Sequence, residues 1–295
     1  MYDLHRLRLL RELSHRGTLA AVAEALGYSP SAISHQLALL EREVRVPLLE
    51  PAGRGVRLTA AAVRLVAHTE VIMRELERAE ADIAASRADI IGVVRVATFQ
   101  TAAHTVVLDA IDRLATRHPR LIVTFAHISA ESAIPALLAR DFDLVLGEQY
   151  PGHPPVPHPG VVTQPIMSDP LVLAIPVDWS ARRLTDLAEA PWVLEPPGTM
   201  ARAWADATCR SAGFDPLVRY ETADLKLHAA IVSRGRTAAF VPRLALEPSA
   251  SIRVIAIDRA RIIEVSTRTG SDDHPAVRAV IDAFTGGDNG KAPTE

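Results

Sequence analysis

The stretch GYSPSAISHQLALLERE, residues 27–43, changes character halfway along. Its first half carries short polar side chains, and its second half is rich in leucine. Ser29 is a suitable N-cap, and Pro30 fits the first position of a helix, where its missing N–H costs nothing. Apolar residues recur along this helix at Ile33, Leu37, Leu40 and Val44. One face of the helix is therefore core, whereas the polar turn at its start lies largely on other faces.

Two further helices are predicted before this one. Leucines at amphipathic spacing indicate a helix over residues 4–14. Thr18 caps a second helix, from Leu19 to Leu26, and Gly27 ends it. Two helices that are joined by a tight glycine turn and preceded by a support helix are typical of a helix-turn-helix.

Residues 48–58, LLEPAGRGVRL, predict two short strands around a Gly-Arg-Gly tip. A hairpin in this place is a wing. The sequence therefore predicts an all-α winged helix-turn-helix domain over residues 1–58.

A long linker helix is predicted after the wing, over residues 59–88. Apolar and small residues alternate steps of four and three along it, at Leu58, Ala62, Leu65, Thr69, Ile72, Leu76, Ala79 and Ile83. A helix of roughly 28 residues is about 42 Å long, too long to fold back on a small domain. Because a heptad seam of this kind needs a partner helix, we predict dimerisation through its larger residues, Leu65, Ile72, Leu76 and Ile83.

From Gly92 onwards, short β-branched runs alternate with helical stretches, which indicates an α/β domain over residues 89–295. A first unit is predicted to hold strands at 93–98, 121–127 and 143–147 and helices at 105–117 and 132–140. A second unit is predicted to hold strands near 161–166, 170–176, 191–195, 217–221, 237–241, 252–257 and 262–268, with helices at 199–212 and 224–233. A last helix is predicted over residues 275–285. We assign 92–160 and 269–285 to subdomain 1, and 161–268 to subdomain 2. Residues 286–295 are predicted to be a disordered tail.

Composition places the chain among soluble globular proteins, because 48% apolar residues are far more than a disordered chain has. The single cysteine, Cys209, excludes a disulfide framework and a multi-thiolate zinc site. No apolar run approaches the roughly 18 residues of a membrane span, and the N-terminus lacks a signal-peptide pattern. We therefore expect a cytoplasmic protein with no membrane partner.

Charge is distributed unevenly along the chain. The first 60 residues hold eight arginines, no lysine and six acidic residues, a net charge of +2, and the remainder is net −5. Arginine supplies fork-shaped donors for phosphate, so a nucleic-acid role would have to lie in the N-terminal part.

The order of these elements resembles the LysR-type transcriptional regulators over essentially the whole chain. The segments GTLAAVAEALGYSPSAISHQLALLE (17–41) and VPLLEPAGRGVRLTAAA (46–62) are similar to the N-terminal signature of that family. Weaker matches downstream are HPRLIV, FDLVLG and FVP. The resemblance implies a periplasmic-binding-protein-like effector domain with two α/β subdomains. It also implies a homodimer that assembles further into a homotetramer, and we expect RNA polymerase as a partner.

The chain departs from the family pattern in a few places. The family usually has Phe-x-Arg where this chain has Leu49-Glu50-Pro51, so the wing lacks one arginine that would meet phosphate. It also has an arginine at the position of His35 and glycines at the positions of Ala62 and Thr237.

The resemblance places the helix after Ser29 in the major groove of double-stranded DNA, where short side chains let the backbone approach base edges. There Gln36 can bond adenine in bidentate fashion, and His35 can donate to a guanine or a phosphate. The predicted DNA-binding residues are Thr18, Ser29, Pro30, Ser31, Ala32, Ser34, His35, Gln36, Arg54 and Arg57. The alternative is that this polar turn merely caps a helix and faces water.

The two α/β units are predicted to enclose a cleft at the carboxyl ends of their strands, where helix N-termini point inward. The resemblance implies that a small-molecule effector binds there. The predicted effector-binding residues are Thr98, Phe99, Gln100, Thr101, Ser129, Glu148, Gly198, Thr199, Met200 and Thr222. No lysine and few arginines fall at these strand ends, so a neutral or zwitterionic ligand is favoured over a strongly anionic one. Glu148 is a candidate to receive an amine.

Nucleotide-binding, zinc-protease and esterase motifs are absent from the sequence, so we predict no catalytic residue, no cofactor and no metal. Two other classes stay open. One is an architectural DNA-binding protein that needs no ligand, which a cleft filled by large apolar side chains would favour. The other is a metabolic enzyme with a fused DNA-binding domain, which turnover of a cleft ligand would reveal. Cys209 is expected to be a buried small hydrophobe rather than a redox switch.

Overall fold

A computed structural model of the chain describes residues 2–53, 55–154 and 156–286. The N-terminal domain contains three helices, α1 (Leu4–Arg16), α2 (Leu19–Leu26) and α3 (Pro30–Val44). An antiparallel hairpin of β1 (Leu49–Ala52) and β2 (Gly55–Leu58) follows them. The predicted winged helix-turn-helix is therefore confirmed, and the predicted disordered tail lies almost entirely outside the described residues.

Local chemistry sets the turn between α2 and α3. The hydroxyl of Thr18 accepts a hydrogen bond from the N–H of Ala21 (3.1 Å) at the start of α2. The hydroxyl of Ser29 accepts one from the N–H of Ala32 (3.2 Å) at the start of α3. Between the two helices Gly27 has a φ of +71°, a left-handed conformation that a side chain would strain.

The core of this domain lies between its helices. Ile33, Leu37 and Leu40 of α3 are fully buried, and they pack in one cluster with Leu9 and Leu10 of α1. Burial of an aliphatic side chain of this size contributes roughly 1.5–3 kcal/mol. The apolar spacing of α3 therefore fixes which face of the helix is turned away from the core.

The linker helix α4 (Ala60–Ala85) is capped by Thr59, whose hydroxyl accepts a hydrogen bond from the N–H of Ala62 (3.2 Å). The face that α4 buries within its own chain is formed by Ala62, Val66, Thr69, Met73, Glu77 and Ala81. This face packs against α1 and the C-terminal domain. It shares only Ala62 and Thr69 with the predicted seam.

The strands of the C-terminal domain are β3 (Gly92–Thr98), β4 (Leu121–His127), β5 (Leu144–Gln149), β6 (Val161–Pro176), β7 (Pro191–Leu194), β8 (Leu217–Glu221), β9 (Ala239–Pro242) and β10 (Ile252–Arg268). Six of them form one mixed sheet in the order β4-β3-β5-β10-β6-β9, and β7 pairs with β8 in a separate parallel sheet.

The helices of this domain are α5 (Gln100–Ala102), α6 (Leu108–Arg117), α7 (Ala130–Leu138), α8 (Met200–Ser211), α9 (Leu225–Val232) and α10 (Pro275–Phe284). A π-helical turn, Ala103–Val107, joins α5 to α6, so this helical region starts at Gln100 and not at Thr105 as predicted. In the described ranges, no helix combines the length and the apolar character that a bilayer crossing requires.

β6 and β10 are long strands that run through both subdomains. The sequence predicts four short strands in these regions, whereas the structure has one continuous strand in each. The two strands pair antiparallel, with Arg261 opposite Asp169. A register shift lies on each side of Arg261, and such bulges interrupt the alternation from which strands are predicted.

Two large apolar cores flank these strands. One packs α6 and α10 on the first strands and includes Val96, Leu144 and Val280. The other includes Trp192, whose ring stacks on Phe240 with 5.0 Å between the centroids. The predicted α/β architecture with two subdomains is therefore confirmed.

Ion pairs connect the N-terminal domain and α4 to the C-terminal domain. Glu77 of α4 is buried, and its carboxylate pairs with Arg140 (Nη1–Oε1, 2.9 Å) and Arg268 (Nε–Oε1, 2.6 Å). Arg16 of α1 pairs with Asp141 (Nη2–Oδ1, 2.6 Å). Buried charges of this kind are tolerated only while all partners are present. Ion pairs therefore hold the two domains together in addition to the covalent connection through α4.

Candidate functional site

The start of α3 presents a polar surface to solvent. Ser31, Ser34 and His35 are exposed, and Gln36 is half-buried. The neighbouring predicted residues lie at the same turn, with Ser29 and Pro30 exposed and Ala32 half-buried. Because the opposite face of α3 is fixed in the core, this turn is held at the surface of the domain.

Gln36 is held in place by α1. Arg6 Nε donates a hydrogen bond to Gln36 Oε1 (3.0 Å), and the Arg6 guanidinium also pairs with Glu43, further along α3. The amide of Gln36 is therefore oriented, and these contacts use only one lone pair of its oxygen. A bidentate contact with adenine needs the amide oxygen and the NH₂ group together, and both remain able to take part.

The residues predicted to meet phosphate are in different situations. Thr18 is exposed at the N-terminus of α2, where the helix dipole favours an anion. The Arg57 side chain is 71% exposed, and it pairs across the wing with Glu50 (Nε–Oε1, 2.7 Å), so a phosphate would compete with that carboxylate. Arg54, predicted at the tip of the wing, lies outside the described residues.

A buried charge cluster centred on Arg261 lies where the two subdomains meet. Arg261 is 1% exposed, its Nε donates to Asp169 of β6 (2.9 Å), and its Nη1 pairs with Glu148 at the end of β5. The guanidinium lies over the ring of Phe99, 5.2 Å from the centroid. One cation is matched here by two carboxylates, so Arg261 has no spare charge for a ligand.

This cluster bears on the prediction that Glu148 can receive an amine. Glu148 is engaged by Arg261, and burial raises the pKa of Glu148 although Arg261 opposes that shift. Arg261 and Asp169 are 92 residues apart and meet only through the pairing of β6 with β10. The local signal of Arg261 itself is a charged residue inside a strand pattern.

Among the predicted residues of subdomain 1, Phe99 and Gln100 reach the cleft. Gln100 Nε2 donates to Asp224 Oδ1 of subdomain 2 in a long contact (3.5 Å). Thr98 and Thr101 are buried, and the hydroxyl of Thr98 donates to the carbonyl of Phe99 (3.2 Å). These two threonines therefore lie beneath the surface of the cleft wall, where a ligand would not contact them.

The other predicted residues lie at the ends of elements. Thr199 caps α8 by accepting a hydrogen bond from the N–H of Arg202 (3.1 Å), with Gly198 before it and an exposed Met200 after it. The hydroxyl of Thr222 accepts a hydrogen bond from the N–H of Asp224, after β8. Ser129 lies on the surface, where its hydroxyl is 3.0 Å from that of Ser132.

Glu195 is a further residue of the cleft and is not among the predicted effector-binding residues. Burial, and then the charge of Glu148, raise the pKa of Glu195 to about 7, although a hydrogen bond with Thr199 opposes the shift. Glu195 directly follows β7. The strand-end rule that selected Glu148 would have found it, but the predicted strand included position 195.

The four residues predicted to dimerise are not on the buried face of α4. Ile72, Leu76 and Ile83 are exposed, and Leu65 is half-buried. Val63 and Val71 are exposed apolar residues of the same helix. α4 therefore has one apolar face that packs within the chain and further apolar side chains that face solvent.

The chain has a winged helix-turn-helix, a long helix and a two-subdomain α/β domain with a polar cleft. This architecture is typical of the class of DNA-binding regulators that carry their own ligand-binding domain. Family models agree with this class. Residues 4–63 match the bacterial regulatory helix-turn-helix protein model of the lysR family, and residues 87–287 match the LysR substrate binding domain. The chain belongs to the LysR family of transcriptional regulators.

Similar proteins are also regulators. The transcriptional dual regulator GltC of Bacillus subtilis is 27% identical over 245 residues, which cover 81% of this chain and 80% of GltC. The regulator GalR of Pseudomonas putida is 26% identical over 292 residues, 95% of this chain and 73% of GalR.

Solved structures share the fold. A full-length OxyR variant from Pseudomonas aeruginosa superposes with a TM-score of 0.71 at 17% identity, covering 96% of this chain and 95% of that chain. Full-length CbnR complexed with its target DNA gives a TM-score of 0.54 at 22% identity, covering 96% and 98%.

Proposed function

We propose that this regulator reads double-stranded DNA through the turn at the start of α3, and that a small molecule in the cleft modulates that binding. The observation that carries the proposal is the division of α3 into two faces. Ser31, Ser34 and His35 are exposed, whereas Ile33 and Leu37 are buried. A helix with this division can enter the major groove with its short polar residues against base edges.

Base reading is assigned chiefly to His35 and Gln36, with Ser31 and Ser34 beside them. Ser29, Pro30 and Ala32 complete the contact surface. Thr18 and the wing arginines Arg54 and Arg57 are proposed to meet phosphate, which sets register and supplies salt-dependent affinity.

The cleft supports an effector in preference to an architectural role. An architectural protein needs no ligand, and apolar filling of the cleft would suit it. Here the cleft carries Glu195 and Gln100 next to the buried pair of Arg261 and Glu148. Polar groups that converge in a concave site are typical of ligand recognition. We propose no catalytic residue.

Self-association is proposed through the exposed side of α4, with Leu65, Ile72, Leu76 and Ile83 at the seam. A dimer of this kind would present two α3 helices to one operator. We further propose assembly into a tetramer, an encounter with RNA polymerase at the promoter, and a cytoplasmic location.

Footprinting and fluorescence anisotropy on the DNA upstream of the chain's own gene test the proposal. We expect a protected site whose affinity falls steeply with salt, and a footprint that changes with one metabolite of a panel. The double variant His35→Ala plus Gln36→Ala should lose the site. The matched double variant His127→Ala plus Gln164→Ala, at exposed positions of the C-terminal domain, should keep it. Equal binding by both variants would overturn the assignment.

A further inference from the structure

Subdomain 2 contains a small cavity beside the cleft. Its volume is about 20 Å³, which is room for one water-sized group. The cavity is lined by Tyr150, Glu195, Trp204, His228 and Phe240, with apolar side chains closing the remainder. Glu195 is only half-buried, so it connects the cavity to the cleft surface.

His228 lines this cavity and has an unused hydrogen-bond acceptor. It is 1% exposed, and its Nε2 lies 2.8 Å from the carbonyl oxygen of Thr222. Because a carbonyl only accepts, Nε2 carries the ring proton. Burial lowers the pKa of His228, so the ring stays neutral and Nδ1 is an acceptor. Within the described part of the chain, Nδ1 has no hydrogen-bond partner.

The carboxylate of Glu195 is a second acceptor, and the neighbouring arginines form their ion pairs with other carboxylates. Arg202 donates to the main-chain carbonyl of Glu195 (3.1 Å), but its side chain pairs with Asp206 and Glu221. Arg261 is already matched by its two carboxylates. Above about pH 7, where Glu195 is ionised, the local charge balance is therefore negative and favours a cationic group.

Three aromatic rings complete the surroundings. Trp204 meets Phe240 edge to face, with 5.0 Å between centroids and an interplanar angle of 72°. The ring centroids of Tyr150 and Trp204 are 5.9 Å apart. Aromatic faces attract cations, most strongly where water is excluded. The two hydrogen-bond acceptors and the aromatic rings together favour a ligand group that donates hydrogen bonds and carries a positive charge.

We propose that this cavity is a primary-ammonium subsite, so that the effector of this protein carries a protonated amine. The –NH₃⁺ head would donate to the Glu195 carboxylate and to His228 Nδ1, and it would lie against the aromatic rings. The inference rests on the proposed effector cleft and adds the ligand class. A trimethylammonium head exceeds the volume and has no N–H to donate. A carboxylate would meet the charges of Glu195 and Glu148.

The experiment uses the full chain and propylammonium chloride as the probe, with ionic strength held constant by NaCl. We expect propylammonium to raise the thermal unfolding temperature in a saturable way, with a dissociation constant obtained by calorimetry. Propanol, propionate and trimethylpropylammonium should bind at least tenfold more weakly. Glu195→Gln should weaken propylammonium binding at least tenfold, and Glu189→Gln, which removes the same charge at an exposed position of subdomain 2, should not.

Equal binding of propylammonium and propanol, or full retention of propylammonium binding in Glu195→Gln, would overturn the inference. The DNA footprint separates this result from the proposed function. A protein whose footprint responds only to anionic or neutral metabolites keeps the proposed function and loses the amine subsite. A protein that binds propylammonium as expected but protects no DNA keeps the subsite and loses the proposed function.

Discussion

Arg6 of α1 donates a hydrogen bond to Gln36 of α3 across the N-terminal domain, with 3.0 Å between Nε and Oε1. The same guanidinium pairs with Glu43, so α1 fixes both the amide plane of Gln36 and the C-terminal end of α3. Preorganisation of this kind reduces the side-chain entropy that a base contact has to overcome.

Replacing Arg6 with alanine should therefore reduce discrimination between operator and random DNA. A good bidentate base contact is worth about 1–3 kcal/mol, so loss of part of it predicts a specificity ratio lower by roughly 3- to 30-fold. Anisotropy titrations with operator and random duplexes measure this ratio. Arg6→Lys keeps a donor and the charge and should recover most of it. An unchanged ratio in Arg6→Ala would show that Gln36 needs no support from α1.

Glu77→Gln should destabilise the protein strongly. The substitution leaves Arg140 and Arg268 close together without their shared carboxylate. Breaking a buried ion pair by removing one partner typically costs about 3–5 kcal/mol. Urea unfolding followed by circular dichroism measures the loss. Glu75→Gln, on an exposed part of the same helix, should change stability by less than about 1 kcal/mol. Similar losses in both variants would contradict this account of the domain interface.

Cys209 should not react with thiol reagents in the folded protein. It is fully buried, and burial raises the pKa of its thiol to about 12, so the nucleophilic thiolate is scarce at neutral pH. Labelling with a chromogenic disulfide should be complete in denaturant, and at least 100-fold slower without it. Rapid stoichiometric labelling of the native protein at pH 7 would contradict the prediction and revive a redox role.

Stability should depend on pH through Glu195. Its folded pKa, about 7, lies above the usual value near 4.5, so its contribution is complete below pH 4.5 and is lost as pH rises through 7. The shift corresponds to at most about 3 kcal/mol. Glu195→Gln should therefore gain stability relative to wild type between pH 5 and 8 in urea unfolding.

Other titrating groups near Glu195 have to be separated from this effect. Glu148 and Tyr150 have raised pKa values, whereas that of His228 is lowered. The His228 contribution is lost as pH falls below about 6.5, which is the opposite direction. Glu189→Gln serves as the charge-matched control, and parallel pH curves for both variants would refute the assignment to Glu195.

The N-terminal domain could be predicted well because its signals are local. Ser29, Gly27 and the apolar spacing of α3 act within a few residues, and each has its predicted structural role. The link from Arg6 to Gln36 joins residues 30 positions apart and left no local pattern.

The cleft was predicted less completely because its chemistry depends on strand pairing. Phe99 and Glu148 were found from strand ends, but the residue that joins them, Arg261, lies in the middle of β10. The faces of α4 are also hard to predict from sequence, because one apolar stripe packs within the chain and a second, overlapping stripe faces solvent. Spacing alone did not reveal that Thr69 faces the chain's own interior.

β6 and β10 cross from one lobe of the C-terminal domain into the other, and Asp169 and Arg261 face each other partway along that crossing. Any rotation of one lobe against the other has to bend these two strands. The place where they bend most easily is beside the bulges that flank Arg261. Such a rotation would therefore be concentrated at the buried charge cluster, and a ligand that disturbs the cluster would act on the bend itself.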